Sequence, residues 1–299
     1  MECYINGRLR LWKVRRRLAT GALTNLRRHV MSPIHAYLHI STSKLTPSTL
    51  IFTPFKRDGV DMTTPAGLIA ACDLVKDINS SEFTKLKMLY THGGHSYDVT
   101  YGDVAAIKAC SIQEREAVSN LMDKLLEEKV IENREDVITG VGSTPTCSHL
   151  PDDEKRLSNI DEMHPGNYSL YDVNQHMIGS CGLEDIAGSV LTRVVGHYPK
   201  SNKLQIDCGW TGCSAQGKEY DYGKIVNVDG TSDGLYICNL KQEAGDVTSN
   251  DPIDFEKYTI GSLLRILPWH SCAAVHQHRV IHVVRGVDVI DEWEVCDGW

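Results

Sequence analysis

The spacing of apolar residues changes near residue 180, and this change limits the folds that the chain can adopt. Residues 86–90 and 137–141 are strand-like apolar segments, whereas residues 64–78 and 111–128 carry an apolar residue every three to four positions. Strand, loop, helix and strand in this order are typical of a parallel α/β unit. The sequence therefore predicts a parallel α/β domain in residues 49–180.

The second half of the chain consists of shorter strand-like segments separated by Gly, Asp, Asn and Ser. They occupy residues 190–195, 203–207, 224–228, 235–239, 262–268 and 278–285. Because no long helical pattern interrupts them, residues 181–299 are predicted to form a mostly antiparallel β domain. Residues 1–48 show neither the helical nor the strand-like spacing of apolar residues. They are predicted to be a poorly structured basic segment.

The charge balance and the cysteine pattern exclude several classes of protein. The net charge of −8 does not suit a nucleic-acid-binding chain. No apolar run approaches the roughly 20 residues that span a bilayer. We therefore expect neither nucleic acid nor membrane among the partners. The ten cysteines include no CxxC pair, which favours reduced thiols inside a cell.

The first 30 residues hold eight arginines and lysines but only one acidic residue, Glu2. An Arg-rich, acid-poor beginning is typical of a mitochondrial transit peptide. A disordered basic tail or an incorrectly assigned first exon would have the same composition. We expect a cytoplasmic protein, with a mitochondrial location as the alternative.

Two helices have recognisable first turns. Pro65 stands where the first turn of a helix over residues 64–78 tolerates proline. Ser111 is predicted to cap the helix over residues 111–128, and Glu114 to complete a capping box with it.

His270 and Cys272 are candidate metal ligands. In a strand, positions i and i+2 point to the same face, so this pair would bind one metal together. Cys with His suits zinc, and two protein ligands leave positions open for water or substrate. The motif alone is weak, because buried histidines and cysteines are common. His276, His278 and His282 are either further ligands or residues of a solvated face.

Three polar loops follow strand-like segments, at residues 90–97, 140–146 and 164–167. In parallel α/β proteins, binding groups gather at the carboxyl ends of the strands. Backbone N–H groups of residues 142–143 and 166–167, with the Thr144 hydroxyl, would suit a phosphate. Ordinary tight turns are the alternative interpretation of each loop.

Six segments resemble, in the same order, segments of the D-serine dehydratase and D-threonine aldolase family. They are YTHGGHSY (90–97), GVGSTPT (140–146), HPGNY (164–168), IDCGW (206–210), PWHSC (268–272) and CDGW (296–299). The family consists of fold type III pyridoxal-phosphate enzymes, in which an alanine-racemase-like barrel precedes a β domain. The resemblance implies a partial, incomplete TIM-type barrel in residues 49–180 and a D-serine dehydratase-like β domain in residues 181–299.

The resemblance also implies cofactor ligands and an assembly. Pyridoxal 5'-phosphate would lie at Tyr90 and Tyr97, and Thr144, Gly166 and Asn167 would hold its phosphate. Relatives of this family suggest a homodimer acting on a small D-amino acid.

His270 and Cys272 would bind Zn²⁺ in this family. The aldolase branch is expected to carry Asp where this chain has Cys272, and a thiolate prefers zinc to manganese, which favours the dehydratase branch. The implied reaction is β-elimination, in which zinc polarises the β-hydroxyl and the cofactor spreads the negative charge at the α carbon. D-serine would yield pyruvate and ammonia.

The chain departs from the family pattern near its beginning. The family carries the lysine that binds the cofactor in a segment that residues 27–32 resemble, and Met31 stands in its place. Lys44 and Lys56 are candidate replacements, although neither lies in a supporting motif. Without that lysine, the residue that takes the α-proton is not identified.

The spacing and one further position also depart from the family. Fewer than 60 residues separate Met31 from Tyr90, where four or five βα units of about 30 residues each should lie. The family tends to carry His where this chain has Ala244. We therefore expect an N-terminally truncated or divergent member. The alternatives are a catalytically inactive homologue that retains zinc binding and, less favoured, a zinc hydrolase.

Overall fold

The computed structural model describes residues 3–6, 46–52, 62, 64–81, 83–152 and 159–295. Two compact units divide the chain. One contains Met1–Leu11 with Asn167–Trp299, which we call the β unit, and the other contains Trp12–Gly166, which we call the α/β unit. The division therefore falls between Gly166 and Asn167, whereas the sequence placed a limit at residue 180. Met31, Lys44, Lys56 and the terminal CDGW segment lie outside the described residues.

The described part of the α/β unit contains a parallel four-stranded sheet with the order β2-β3-β4-β5. Its strands are β2 (Thr46–Phe52), β3 (Thr84–His92), β4 (Ile138–Gly142) and β5 (Glu162–Met163). Its helices are α1 (Pro65–Ser80), α2 (Val104–Glu127) and α3 (Thr144–Ser148), with 3-10 turns at Gly94–Tyr97 and Arg134–Asp136. The predicted parallel α/β order is confirmed.

Helices α1 and α2 pack on strand β3 through apolar residues that leave no surface to water. The fully buried residues are Ala71, Val75, Leu89, Val118, Leu121, Leu125 and Val141. Burying each large aliphatic side chain contributes roughly 1.5–3 kcal/mol. This core fixes the positions at which strands β3 and β4 end.

The two predicted helix beginnings have different outcomes. Thr64 caps α1 by accepting a hydrogen bond from Gly67 N–H at 3.0 Å, and Pro65 occupies the first turn as predicted. The capping box at Ser111 and Glu114 is wrong, because α2 begins seven residues earlier, after the Asp103 cap. Residues 104–110 favour helix, so the helix extends past Ser111 and buries it.

The described part of the β unit contains a nine-stranded sheet with the order β11-β8-β9-β10-β7-β6-β1-β12-β13. The strands are β1 (Cys3–Asn6), β6 (Gly188–Tyr198), β7 (Lys203–Ile206), β8 (Gly223–Asn227), β9 (Tyr236–Leu240), β10 (Gly245–Thr248), β11 (Leu263–Pro268), β12 (Val280–Arg285) and β13 (Asp288–Glu294). All pairs are antiparallel except β1 with β12. The predicted mostly antiparallel β domain is confirmed.

Strand β11 also pairs with β6, which closes six strands into a barrel. The 11-residue strand β6 permits this closure, because its first half pairs with both β1 and β11, and its second half reaches β7. Closure satisfies backbone groups that an open sheet edge would expose. Short helices α4 (Val173–Ile178), α5 (Trp210–Cys213) and α6 (Ser271–Val275) lie between the strands, with 3-10 turns at Leu183–Asp185 and Pro199–Ser201.

Among the described residues, none of the helices combines the length and the apolar character that crossing a bilayer would require.

Candidate functional site

In the α/β unit, Tyr90 and His164 meet at the carboxyl ends of strands β3 and β5. Their rings pack edge to face, with 5.0 Å between the centroids. Gly142, at the end of β4, lies against both, because a Cβ on it would be 2.6 Å from Tyr90 Oη and 2.6 Å from His164 O. The structure thus brings together one residue from each of the three loops selected from the sequence.

Burial raises the pKa of the Tyr90 phenol, and the nearby Glu114, Cys147 and Tyr97 raise it further. The hydroxyl therefore stays neutral and able to donate a hydrogen bond across the physiological range. Tyr97 ends the 3-10 turn that follows β3. The predicted cofactor contacts of both tyrosines stay a prediction.

A buried hydroxyl network joins the loop after β3 to the loop after β4. Ser96 Oγ donates to Gly93 O at 2.7 Å and lies 3.1 Å from Ser143 Oγ. Ser143 Oγ in turn lies 3.0 Å from Thr146 Oγ1, and Gly93 N–H donates to Gly142 O at 2.9 Å. The network therefore holds the two loops together.

Gly142 ends strand β4, and residues 143–146 form the beginning of a helix rather than a loop. Ser143 caps α3, and Thr144 is its first residue, only 1% exposed. Gly166 lies at the end of the unit, where a Cβ would meet no atom within 4 Å. Backbone N–H groups and hydroxyls are donors suited to an anion such as the phosphate of pyridoxal 5'-phosphate, so the residues present fit that group.

Glu114 lies beneath these loops and was missed as a site residue from the sequence. It is 1% exposed, so its carboxyl group is shielded from water. Its carboxyl packs against Gly93 and Thr146. Burial raises the pKa of Glu114 to about 7, while Thr146, Arg115 and Gly142 partly counteract the rise. A carboxyl that changes charge near neutral pH therefore supports both loops.

In the β unit, His270 and Cys272 belong to different local structures. His270 is the extended residue that precedes α6, and Cys272 lies in the first turn of that helix. The argument that both lie on one strand is therefore wrong, because β11 ends at Pro268. Cys272 is exposed, yet partial desolvation raises the pKa of its thiol, and the Asp172 carboxylate raises it further.

The three other histidines considered as ligands have different surroundings. His278 is buried, with Nε2 lying 2.9 Å from Gly212 O, and His282 Nδ1 lies 3.0 Å from Glu292 Oε1. His276 ends α6 and is exposed. Within the described residues, no group of three His, Cys, Asp or Glu side chains is placed to hold a metal ion. The thiol and imidazole of Cys272 and His270 are the donor types that zinc prefers, so this pair fits zinc with further positions open.

Within the β unit, Asn167 and Asp172 lie beside the predicted metal segment. Asn167 Nδ2 donates to Asp172 Oδ2, so this side-chain amide is already engaged, and the backbone of Asn167 is the part suited to an anion. Asp172 Oδ2 also accepts from Ser271 N–H at 3.0 Å. Burial raises the pKa of the Asp172 carboxyl, and the N–H donors of Gln175 and Ser271 counteract the rise. No sequence motif had marked Asp172.

Comparison with known proteins agrees with this fold. Residues 187–284 match the putative serine dehydratase domain. The chain is 35% identical over 232 residues to a D-serine dehydratase of Dictyostelium discoideum, a match that covers 73% of this chain and 56% of that protein.

Two solved structures have similar folds. One is D-threo-3-hydroxyaspartate dehydratase from Delftia sp. HT23, with a TM-score of 0.72 and 25% identity. The other is an alanine-racemase-like protein from Idiomarina loihiensis, with a TM-score of 0.71 and 28% identity. Each alignment covers 85% of this chain and 66% of the other.

These likenesses define an alanine-racemase-like α/β region followed by a dehydratase-type β domain. The chain belongs to the D-serine dehydratase family. It spans 56–60% of the length of the four curated relatives that it matches.

Proposed function

We propose that this chain acts as a D-amino acid dehydratase. It would convert D-serine, or a related D-3-hydroxy amino acid, to a 2-oxo acid and ammonia by β-elimination with pyridoxal 5'-phosphate and zinc. Relatives named D-serine dehydratase and D-threo-3-hydroxyaspartate dehydratase support the substrate class. A homodimer and a cytoplasmic location, with a mitochondrial one as the alternative, are further parts of the proposal.

The observation that carries this proposal is the His270-Ser271-Cys272 segment. Solved variants of D-threo-3-hydroxyaspartate dehydratase replace a histidine and a cysteine two positions apart, and the cysteine variant is in a metal-free form. This chain has the same spacing, in a segment whose middle residue is buried and hydrogen-bonded. The pair would hold zinc and leave coordination positions for water and the substrate hydroxyl.

The residues of the α/β unit would hold the cofactor. Thr144 and Gly166 would bind its phosphate. The neutral Tyr90 hydroxyl would donate a hydrogen bond to the bound ring system. When bound, pyridoxal phosphate supplies an electron sink for the substrate's α carbon, and zinc supplies a Lewis acid for its β-hydroxyl.

A catalytically inactive homologue that binds zinc is the second candidate. The observation that favours it is Met31, which stands where the family pattern has its lysine. A thioether neither forms a Schiff base nor accepts a proton at neutral pH. Both candidates share the zinc pair, and they differ in whether D-serine is consumed.

Pyruvate formation distinguishes the two candidates. Purified chain is incubated with pyridoxal phosphate, zinc and D-serine, and pyruvate is measured with lactate dehydrogenase. The dehydratase predicts pyruvate from D-serine, none from L-serine, and a loss in Cys272→Ala. Zinc binding without pyruvate, under conditions in which a Dictyostelium D-serine dehydratase control is active, would support the inactive homologue.

A further inference from the structure

Ser271, the residue between the two candidate zinc ligands, is held at two points by consecutive residues. Its N–H donates to Asp172 Oδ2 at 3.0 Å, and its hydroxyl donates to the Tyr171 carbonyl. A third hydrogen bond runs in the opposite direction, from Asn174 N–H to Trp269 O at 3.2 Å. Segments about 100 residues apart in sequence are thereby joined at the residue that separates His270 from Cys272.

The Asp172 carboxylate is itself fixed in direction. Its residue is 0% exposed, and it accepts from Gln175 N–H at 2.8 Å and from the Asn167 amide as well as from Ser271. A buried carboxylate requires such donors, since an unsatisfied one is costly. With three donors in place, rotation of the carboxylate would break at least one hydrogen bond. Asp172 is therefore a rigid attachment point.

The backbone of Tyr171, which accepts a hydrogen bond from the Ser271 hydroxyl, has a rarely populated conformation. Tyr171 has a φ of 51°, in the left-handed region that a bulky residue rarely adopts. Such a conformation costs of order 1–3 kcal/mol and persists where the surroundings over-determine it. Here it directs the Tyr171 carbonyl and the Asp172 side chain toward the same serine.

We propose that Asp172 is a positioning residue of the zinc site, acting through the Ser271 backbone. His270 is extended and Cys272 is helical, so the backbone at Ser271 sets the separation and direction of the imidazole and the thiol. A two-residue metal site is sensitive to that separation, because the part of the chain that the structure describes offers no third protein ligand to correct it. The inference rests on the proposed function, since it requires that His270 and Cys272 bind zinc.

The test measures metal binding rather than turnover. Zinc affinity of the purified full chain is determined by competition with a chromophoric chelator, and cobalt(II) substitution reports thiolate ligation by its charge-transfer absorption. Asp172→Asn keeps the shape of the side chain but replaces one acceptor oxygen with an NH2 donor. That donor would face the N–H groups of Gln175 or Ser271, which need an acceptor. We expect a 10- to 100-fold loss of zinc affinity and a weaker cobalt–thiolate band, as is typical when a residue supporting metal ligands is changed.

A matched control and a milder variant accompany this change. Asp254 also accepts two backbone N–H groups in the β unit, from Glu256 at 3.0 Å and Lys257 at 3.2 Å, so Asp254→Asn should keep the wild-type zinc affinity. Ser271→Ala removes only the hydrogen bond to Tyr171 and should reduce zinc affinity about 5-fold, the equivalent of one hydrogen bond. Near-ultraviolet circular dichroism checks that each variant is folded.

The possible outcomes separate the inference from the proposed function. Wild-type chain that binds no zinc, or binds it equally in His270→Ala, would overturn the proposed metal site. Wild-type binding with unchanged affinity and spectrum in a folded Asp172→Asn would overturn the positioning role alone. If Asp172→Asn does not fold, Ser271→Ala decides, and an unaltered affinity and cobalt spectrum there contradict the proposal.

Discussion

The ring of Tyr90 packs edge to face on the ring of His164, and the backbone of Gly142 lies under the Tyr90 hydroxyl. Gly142 thus has no space for a side chain at a position where three parallel strands end. The close packing at Gly142 can therefore be tested by a stability measurement that requires neither cofactor nor substrate.

Replacing Gly142 by Ala should destabilise the protein by about 1–3 kcal/mol. The added Cβ would lie 2.6 Å from the His164 carbonyl oxygen, a backbone atom that cannot move aside by rotation. Urea unfolding measures the change in the free energy of unfolding. Gly166→Ala is the control and should stay within about 0.5 kcal/mol of wild type, because its Cβ would meet no atom within 4 Å. Equal stabilities of the two variants would contradict the packing described here.

Glu114 should make folding stability depend on pH between about 4.5 and 7. Its pKa in the folded protein is raised from 4.5 to about 7, so the unfolded chain ionises first, and stability is lost as pH rises through this interval. Relative to Glu114→Gln, wild type should lose about 3 kcal/mol between pH 4 and pH 8.

Denaturant unfolding of both proteins across that pH range measures the Glu114 effect. Glu116→Gln changes an exposed acid on the same helix and is the matched control. A flat difference between wild type and Glu114→Gln would show that Glu114 keeps an ordinary pKa.

Zinc should stabilise the folded chain, and removal of zinc should reverse the effect. At a free zinc concentration 100 times its dissociation constant, the gain is about 2.7 kcal/mol. Thermal unfolding with and without a chelator measures this gain, which Cys272→Ala should abolish. His276→Ala, which changes the exposed residue at the end of α6, should keep it. A zinc effect that survives in Cys272→Ala would place the metal elsewhere.

Asp161 should stabilise the pairing of β4 with β5 above its own pKa. Its carboxylate accepts from Thr139 N–H at 2.7 Å and from Arg134 at 2.9 Å. These donors hold the pKa of Asp161 below its usual range despite partial burial, so the stabilisation is present above about pH 4 and is lost in acid. Asp161→Asn should cost about 1 kcal/mol at pH 7.

The cost of Asp161→Asn should be smaller at pH 3 than at pH 7, because protonation of the Asp161 carboxylate in acid removes the charge that asparagine lacks. Urea unfolding at the two pH values measures this. Asp136→Asn, on the neighbouring turn, is the matched control for the loss of one acidic side chain.

The sequence was sufficient for the parallel α/β order of the first region and for the mostly antiparallel nature of the second. It did not predict strands β10 and β13, nor strand β1, which lies in the segment expected to be poorly structured. The spacing of apolar residues identified helices α1 and α2 and the change to antiparallel strands, because burial of one face determines that spacing. It placed the beginning of α2 at Ser111, since a capping motif is local and does not reveal that residues 104–110 extend the helix.

The candidate site could be predicted only where a short motif marked it. His270 and Cys272 were selected by residue type, but the strand assumed for them ends at Pro268. Asp172 and Glu114 were not selected as site residues, because their roles depend on partners distant in sequence. Asp172 contacts Ser271 across 99 positions, and such a contact has no local signature.

The closed barrel leaves the β unit one outer strand, β13, which pairs with β12 on one side and with no other described strand. Its seven residues, Asp288–Glu294, include four acids. Two copies that attempted to extend their sheets through this strand would bring eight carboxylates together along a short interface. Like-charge repulsion opposes that contact, so this β domain carries its own protection against edge-to-edge aggregation, and acid or high salt would weaken it.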